Sequence, residues 1–392
     1  SLVSPSPASA GEADAELISE RIQAYHMPDG VVGEARFTSP TSTELAEIHD
    51  GDGAIWTGHY LAAEAYRYAV TRSPRALELV RKTMETMKAL CRISGNGRLV
   101  RTIFAHESPY RDWSRQSGTW HRTTYEGKDL WYISYVTRDQ YVGAFLGLGA
   151  VYDLVDDEEM RSLARDLVTG LVEHLIKAGW ILIDRDAGRW IETYVGRYDQ
   201  MLSVLQLAKH VNPGRFAGEY DKARKAWSWL VDLPIELEQY GKEGSYFRYN
   251  LDYGYMFNLI RLEQDQKVRD LYLKSFAKLR KFTEMDINPH FNLIDFALRG
   301  PNEAREAETR QAIEDRLTRG FRDHFIDHRG TYEACEENVA CQPIPILERV
   351  YADFMWQRTA RHLYGGGDGS IQGPGIDYIL PYWMARYYGV IQ

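Results

Sequence analysis

The sequence predicts an all-α fold, an (α/α)6 toroid in which helical hairpins form a ring and small β-hairpins lie in the long loops of one rim. Three observations support this prediction. Apolar helices alternate with amphipathic ones. The links within such a pair are short, whereas the links between pairs are long. The two ends of the chain each supply one further helix, which together complete the ring.

Each predicted hairpin joins an apolar helix to an amphipathic partner. The pairs are residues 57–71 with 74–92, 138–154 with 158–177, 198–211 with 217–238, 250–262 with 266–282, and 291–298 with 303–319. The apolar stretch 377–388 is expected to pair with 13–25 from the other end of the chain. Because every long link precedes an apolar helix, the long loops should all lie on one rim. A β-hairpin is predicted there over 180–194 and a weaker strand over 324–331.

Composition narrows the class of protein. The chain has 392 residues, 44% hydrophobic and 26% charged, which is typical of a folded globular protein. We expect a single domain over residues 1–392, with 1–12 as a flexible N-terminal segment. The net charge of −9 argues against a nucleic-acid partner, and no apolar run is long enough for membrane insertion. Oligomeric state does not follow from the sequence.

The cysteines and the N-terminal segment bear on the cellular location of the protein. The spacing of Cys335 and Cys341 would allow one disulfide bridge, while Cys91 falls on a helix. The Ser- and Pro-rich start fits a secreted or periplasmic bacterial protein after removal of its signal, and a cytoplasmic location also fits.

The candidate site is the rim at which the apolar helices begin. Two of these helices begin alike, with Thr137-Arg138-Asp139-Gln140 and Arg197-Tyr198-Asp199-Gln200. A carboxylate at a helix N-terminus feels a partial positive charge and is suited to act as a base or nucleophile. We therefore predict Asp139 and Asp199 as catalytic residues, although aspartate in such a position is also an ordinary helix cap.

Other polar and aromatic residues near the helix starts are candidates for the same site. His59, one turn into the first apolar helix, is a further catalytic candidate, and its alternative is a buried structural histidine. The guanidinium groups of the rim arginines could hold a carboxylate such as that of a uronic acid, or form salt bridges within the rim. Trp120 and His121 could stack on a sugar or pack a loop. The predicted substrate-binding residues are Asp52, Trp56, Arg101, Trp120, His121, Arg138, Tyr194, Arg197, Arg248, Asn250 and Asp377.

No spacing of histidines or cysteines indicates a zinc site, and we predict neither a metal nor another cofactor. The alternative is a calcium ion bound in one of the loops.

The six apolar helices, the acids at their starts and the aromatic loops resemble the six-hairpin (α/α)6-toroid glycosidases and the polysaccharide lyases of the same superfamily. Residues 55–64 and 377–383 also look like stretches of uncharacterised bacterial proteins of this type. The resemblance covers residues 50–392 and includes no motif that selects one family. It implies a funnel that accepts the end of an oligosaccharide or polysaccharide.

Two kinds of chemistry follow from the resemblance. The leading hypothesis is a glycoside hydrolase in which Asp139 and Asp199 are the acid and base. The alternative is a polysaccharide lyase that acts by β-elimination on a uronate-containing glycan, with His59, His121, Tyr60, Tyr141 or Tyr198 as the base. A non-catalytic toroidal glycan-binding protein is a third hypothesis, and a cyclase of hydrophobic substrates is a fourth.

Overall fold

The computed structural model describes residues 11–111, 120–184, 188–240, 246–334, 341–350 and 356–392. The helices in these ranges are α1 (Glu12–Arg21), α2 (Gly53–Thr71), α3 (Pro74–Arg92), α4 (Arg138–Leu154), α5 (Glu158–Lys177), α6 (Tyr198–Val211), α7 (Pro213–Trp227), α8 (Asp232–Tyr240), α9 (Phe247–Arg261), α10 (Gln266–Thr283), α11 (Pro289–Arg299), α12 (Glu303–Arg319) and α13 (Ile376–Tyr387). A π-helical turn, Ile22–His26, continues α1.

The predicted ring of hairpins is confirmed. The inner helices follow one another around the ring in the order α2, α4, α6, α9, α11 and α13, and α13 packs back against α2. Each inner helix packs against an outer one, namely α3, α5, α7, α10, α12 and α1 in the same order. The N-terminal and C-terminal helices therefore do complete the sixth pair.

The inner layer is apolar because almost every face of its helices is covered. Sixteen of the nineteen residues of α2 are buried, against nine of nineteen in its outer partner α3. Continuous apolar stretches thus became inner helices, and amphipathic stretches became outer helices with one exposed face.

One predicted helix is corrected by the structure. The sequence suggested a single outer helix over 217–238, but α7 ends at Trp227 and a 3-10 turn, Ser228–Leu230, separates it from α8. Pro234 lies in the first turn of α8, where its missing N–H group costs little, and its ring restricts the residues before it.

The strands lie in the links that precede inner helices. They are β1 (Glu34–Phe37), β2 (Leu45–His49), β3 (Ile103–Ala105), β4 (Trp120–Tyr125), β5 (Lys128–Ile133), β6 (Ile181–Asp184), β7 (Arg189–Thr193), β8 (Arg322–Asp327) and β9 (Tyr364–Gln372). They form antiparallel sheets in the orders β2-β1-β9-β8, β3-β5-β4 and β6-β7. The predicted hairpin before α6 is confirmed as β6 and β7, and the weaker strand corresponds to β8.

Helices α2 and α4 approach each other unusually closely. A Cβ atom added to Gly58 would collide with the backbone of Gly143, and one added to Gly143 would collide with the backbone of Ile55. Glycine at both positions lets the two backbones touch. This contact brings the start of α2, with Asp52, next to the start of α4, with Asp139.

Candidate active site

Two carboxylates meet at the rim where α2 and α4 begin. The side-chain amide of Gln140 donates a hydrogen bond to Asp52 Oδ1 at 2.9 Å, and the backbone N–H of Gln140 donates one to Asp139 Oδ1 at 2.8 Å. The side-chain oxygen of Gln140, Oε1, accepts a hydrogen bond from the backbone N–H of Ile55 at 3.0 Å. Gln140 therefore fixes both carboxylates relative to the two helix starts.

Arg101 binds the same pair from the adjoining loop. Its guanidinium donates to Asp52 Oδ1 at 2.5 Å, to the carbonyl oxygen of Gly51 at 2.5 Å and to Thr137 Oγ1 at 3.0 Å. The Thr137 hydroxyl in turn donates to Asp139. A full positive charge thus lies directly beside Asp52 and only one hydroxyl group away from Asp139.

The two acids have different electrostatic surroundings. Burial raises the pKa of the Asp139 carboxyl, and the negative charge of Asp52 acts in the same direction, while Arg101 and Thr137 oppose the rise. The side chain of Asp52 keeps 33% of its surface exposed and is ion-paired with Arg101. A carboxyl with a raised pKa next to an ion-paired carboxylate is an arrangement that suits general acid catalysis.

Two further acids lie near this edge of the rim, and the sequence analysis missed both. Glu192 on β7 accepts hydrogen bonds from the backbone and the guanidinium of Arg138, at 2.8 and 2.6 Å. Glu34 on β1 interacts electrostatically with Asp52. Glu192 lies in the predicted hairpin next to a rim helix and could have been found from that position. The segment around Glu34 carries no comparable signal.

Asp199 lies in a different environment from Asp139. Its side chain is 0% exposed, and Arg197 donates to both of its oxygens at 3.2 and 2.8 Å. The same guanidinium also binds Asp252 of α9 at 2.7 Å. Both carboxylates of this cluster are buried and their guanidinium partner is 12% exposed, so the cluster is an ion-paired link between α6 and α9, and the carboxylate of Asp199 is closed to solvent. This environment does not fit the catalytic role predicted from the sequence.

His59 lies in the interior of the ring beneath the rim. It is 1% exposed and its ring packs against Trp56 and Trp356, with centroids 5.2 Å away in both cases. Burial lowers the pKa of His59 to about 4, so the imidazole is neutral at pH 7. Asn250 approaches its Nε2 atom at 3.5 Å. Trp356 is itself 0% exposed and belongs to the same buried aromatic cluster.

Two other predicted binding residues, Tyr194 and Asp377, make buried contacts within the protein. The Tyr194 side chain is fully buried and its hydroxyl bonds that of Tyr255 at 2.9 Å. Asp377 accepts from the buried guanidinium of Arg316 at 2.7 Å. These positions do not fit direct binding of a substrate, because both side chains face the protein interior.

Among the other predicted binding residues, Trp56 and Asn250 are buried, whereas Arg138, Arg197 and Arg248 stay partly accessible. Arg138 is ion-paired with Glu192 and donates to Gln200 at 2.8 Å. The guanidinium of Arg248 lies over the ring of Tyr249 at 5.1 Å. The rim arginines therefore differ in their partners. Arg101, Arg138 and Arg197 each pair with an acidic side chain, whereas Arg248 lies over an aromatic ring.

Trp120 and His121 belong to the sheet beside the site. Trp120 packs edge-on against Phe104 with ring centroids 4.7 Å apart, and His121 packs on Tyr132 at 5.1 Å. His121 Nε2 also lies 2.9 Å from the hydroxyl of Ser134. These contacts correspond to the loop-packing alternative, although both side chains remain half-buried at the surface.

Two of the candidate bases for β-elimination, Tyr60 and Tyr141, occupy unfavourable surroundings. Burial raises the pKa of Tyr60 and of Tyr141, which is opposite to the shift that a tyrosine base needs. Tyr198 stacks on Trp227 with ring centroids 4.6 Å apart.

The described part of the chain contains no group of three or more His, Cys, Asp or Glu side chains that could hold a metal ion. Within the same ranges, no helix combines the length and the apolar character needed to cross a membrane. Cys91 is buried with a free thiol and Cys341 is disulfide-bonded, whereas Cys335 lies outside the described residues.

No protein-family model matches the chain, and no curated protein matches it either. Among solved structures, the chain is similar to a glycoside hydrolase family 76 mannosidase from Bacteroides thetaiotaomicron, with 12% sequence identity and a TM-score of 0.43. The match covers 96% of this chain and 99% of that one. Similarity at this level bears on neither the reaction nor the substrate.

Proposed function

We propose that the protein is a glycoside hydrolase whose reaction takes place at the rim between α2 and α4. The observation that supports this most is the pair Asp52 and Asp139, held by one glutamine and one arginine at an accessible edge. Glycoside hydrolysis needs two carboxyl groups with different protonation states on either side of the bond that breaks.

In this proposal Asp139 is the proton donor. Its raised pKa keeps the carboxyl protonated to higher pH than an ordinary aspartate, and Oδ2 is the oxygen left over from the hydrogen bonds that Thr137 and Gln140 make to Oδ1. The proton passes to the glycosidic oxygen as its bond to the anomeric carbon breaks. The leaving group then departs as a neutral alcohol.

Asp52 supplies the negative charge in the same proposal. The transition state carries positive charge on the sugar ring, and a fixed carboxylate next to the anomeric carbon stabilises it. Arg101 and Gln140 both bind Oδ1 of Asp52. They hold this group in one position so that it does not have to reorganise during the reaction.

The test is a screen of oligosaccharides and polysaccharides with product analysis by mass spectrometry, using the wild-type chain and Asp139→Asn. We expect release of saturated reducing sugars by the wild type and loss of this activity in the variant. Products with absorbance near 235 nm would instead indicate elimination. Glycan binding without turnover would indicate a non-catalytic protein.

A further inference from the structure

The side chains of β1 divide into two sets by the alternation of a strand. Ala35 and Phe37 are buried in a small apolar cluster with Ile48, whereas Glu34 and Arg36 alternate with them and are half-buried. Since successive side chains of a strand point to opposite faces, Glu34 projects from the face of the sheet that does not pack on this cluster.

Strand pairing places Glu34 close to the start of α2. Glu34 lies directly opposite His49, the last residue of β2, and Asp52 follows three residues later. The preceding residue, Gly33, is pressed against the same segment, because a Cβ atom there would lie 2.6 Å from Ile48 Cγ2 and 2.8 Å from the carbonyl oxygen of His49. Glu34 is therefore fixed beside the segment that carries Asp52.

The charges around Glu34 agree with this placement. Burial raises the pKa of its carboxyl, and the negative charges of Asp323 and Asp52 act in the same direction, while His49 and Arg358 oppose the rise. Across the described part of the chain, no hydrogen bond or ion pair holds the Glu34 carboxyl. A glutamate with these neighbours is free to accept a proton, and as a carboxylate it is more basic than an ordinary one.

Asp52 and Asp139 are less suited to activating water. Asp52 Oδ1 already accepts hydrogen bonds from Arg101 and Gln140. These donors stabilise the carboxylate and make it a weaker base toward water. In the proposed function, Asp139 holds the proton that the leaving group needs. Asp52 influences the pKa of both Asp139 and Glu34, and so it is the neighbour that the other two acids share.

We propose that Glu34 is the general base that takes a proton from the attacking water, and this inference rests on the proposed hydrolase function. The water oxygen forms a bond to the anomeric carbon and one water proton passes to Glu34. The bond between the anomeric carbon and the glycosidic oxygen breaks, and that oxygen takes the proton of Asp139. Direct attack by water inverts the configuration at the anomeric carbon.

The test compares Glu34→Gln, Glu34→Ala and a control, Glu47→Gln, on a glycan that the wild type hydrolyses. Glu47 lies on the neighbouring strand and pairs with His49 at 3.3 Å and Arg36 at 3.7 Å. We expect Glu34→Gln to lower kcat by roughly 1000-fold, with KM changed far less and the acidic limb of the pH profile lost. Glu47→Gln should keep near wild-type kcat.

Two further readouts separate a base from a merely structural residue. Azide should restore turnover to Glu34→Ala and yield a glycosyl azide, and the first product of the wild type should have inverted configuration by NMR. An aryl glycoside with a good leaving group should rescue Asp139→Asn but not Glu34→Gln, because only the proton donor becomes dispensable.

Wild-type kcat in Glu34→Gln, or a product with retained configuration, would overturn the role of Glu34 and leave the hydrolase proposal intact. A wild-type chain that hydrolyses no glycan would overturn both.

Discussion

The starts of α4 and α6 have nearly the same sequence, but their aspartates have different ion-pair partners. In both helices an aspartate is the second helical residue and a glutamine is the third. The arginine differs by one position, because Arg138 is the first residue of α4, whereas Arg197 precedes α6 as its N-cap. This shift by one residue decides which aspartate is neutralised by its own arginine.

Helix geometry explains the difference. Adjacent residues on a helix point about 100° apart and do not face each other, so Arg138 pairs with Glu192 on β7 instead of Asp139. Arg197 lies outside the helix, and its side chain folds back onto both oxygens of Asp199. The comparison shows that two acids at equivalent helix positions differ in burial and ion pairing according to where the nearest guanidinium lies.

The largest expected effect concerns the acid of α4. Asp139→Asn keeps the size of the side chain and its hydrogen-bond acceptor but removes the transferable proton, so kcat/KM should fall roughly 1000-fold. The melting temperature should stay equal or rise, because the substitution removes an acid whose ionised form is disfavoured by burial. Kinetics on the glycan identified by the screen, with thermal denaturation of the same samples, measure both. Activity above a tenth of wild type would exclude Asp139 as the donor.

The second prediction concerns Asp199 of α6, where we expect a loss of stability rather than a loss of activity. Asp199→Asn breaks one half of the buried cluster with Arg197 and Asp252, and the free energy of unfolding should fall by about 3 kcal/mol. Urea denaturation measures this loss, and kcat per folded molecule should change little. Asp221→Asn on the exposed surface of α7 is the control, with a change within about 0.5 kcal/mol. Equal stability of Asp199→Asn and wild type would contradict the structural role.

The third prediction tests Arg101, the cation beside Asp52 and Asp139. Arg101→Met removes the charge beside Asp52 and the hydrogen bond to Thr137. A charge-assisted hydrogen bond contributes about 2 kcal/mol, so kcat/KM should fall roughly 30-fold. Arg122→Met is the matched control, because Arg122 pairs with Asp129 on the exposed part of the sheet that adjoins Arg101. Equal losses in the two variants would show that the sheet, rather than the site, is disturbed.

The smallest expected effect is the pH dependence of stability. Because the folded-state pKa of Asp139 is raised, its contribution to stability is complete below the pKa of the unfolded chain and is lost as pH rises through the folded pKa. The wild type should therefore lose stability relative to Asp139→Asn over this window, by about 1.4 kcal/mol for each unit of pKa shift. Urea denaturation at a series of pH values measures the difference. Parallel curves for the two proteins would refute the raised pKa.

The ring itself could be predicted from the sequence because it depends on local patterns. The distribution of apolar residues along 57–71 or 138–154 determines that these helices are buried on all sides, and the short links fix their outer partners. The long links before inner helices likewise identify the rim. The helix break at Ser228 and the strands β1, β2 and β9 carried weaker signals. In β9, four of the nine residues are glycine.

The sequence by itself determined the number of hairpins, their order and the rim at which their acids lie, because helix periodicity and link length are properties of neighbouring residues. Only the tertiary structure decided which acids remain available. Asp199 and Asp377 are buried and ion-paired with Arg197 and Arg316. Asp52 and Asp139 are brought together by the glycine contact of α2 with α4, and Glu34 is placed beside Asp52 by strand pairing across the chain. The physical reason is that charge pairing and burial depend on residues distant in sequence, which no local pattern contains.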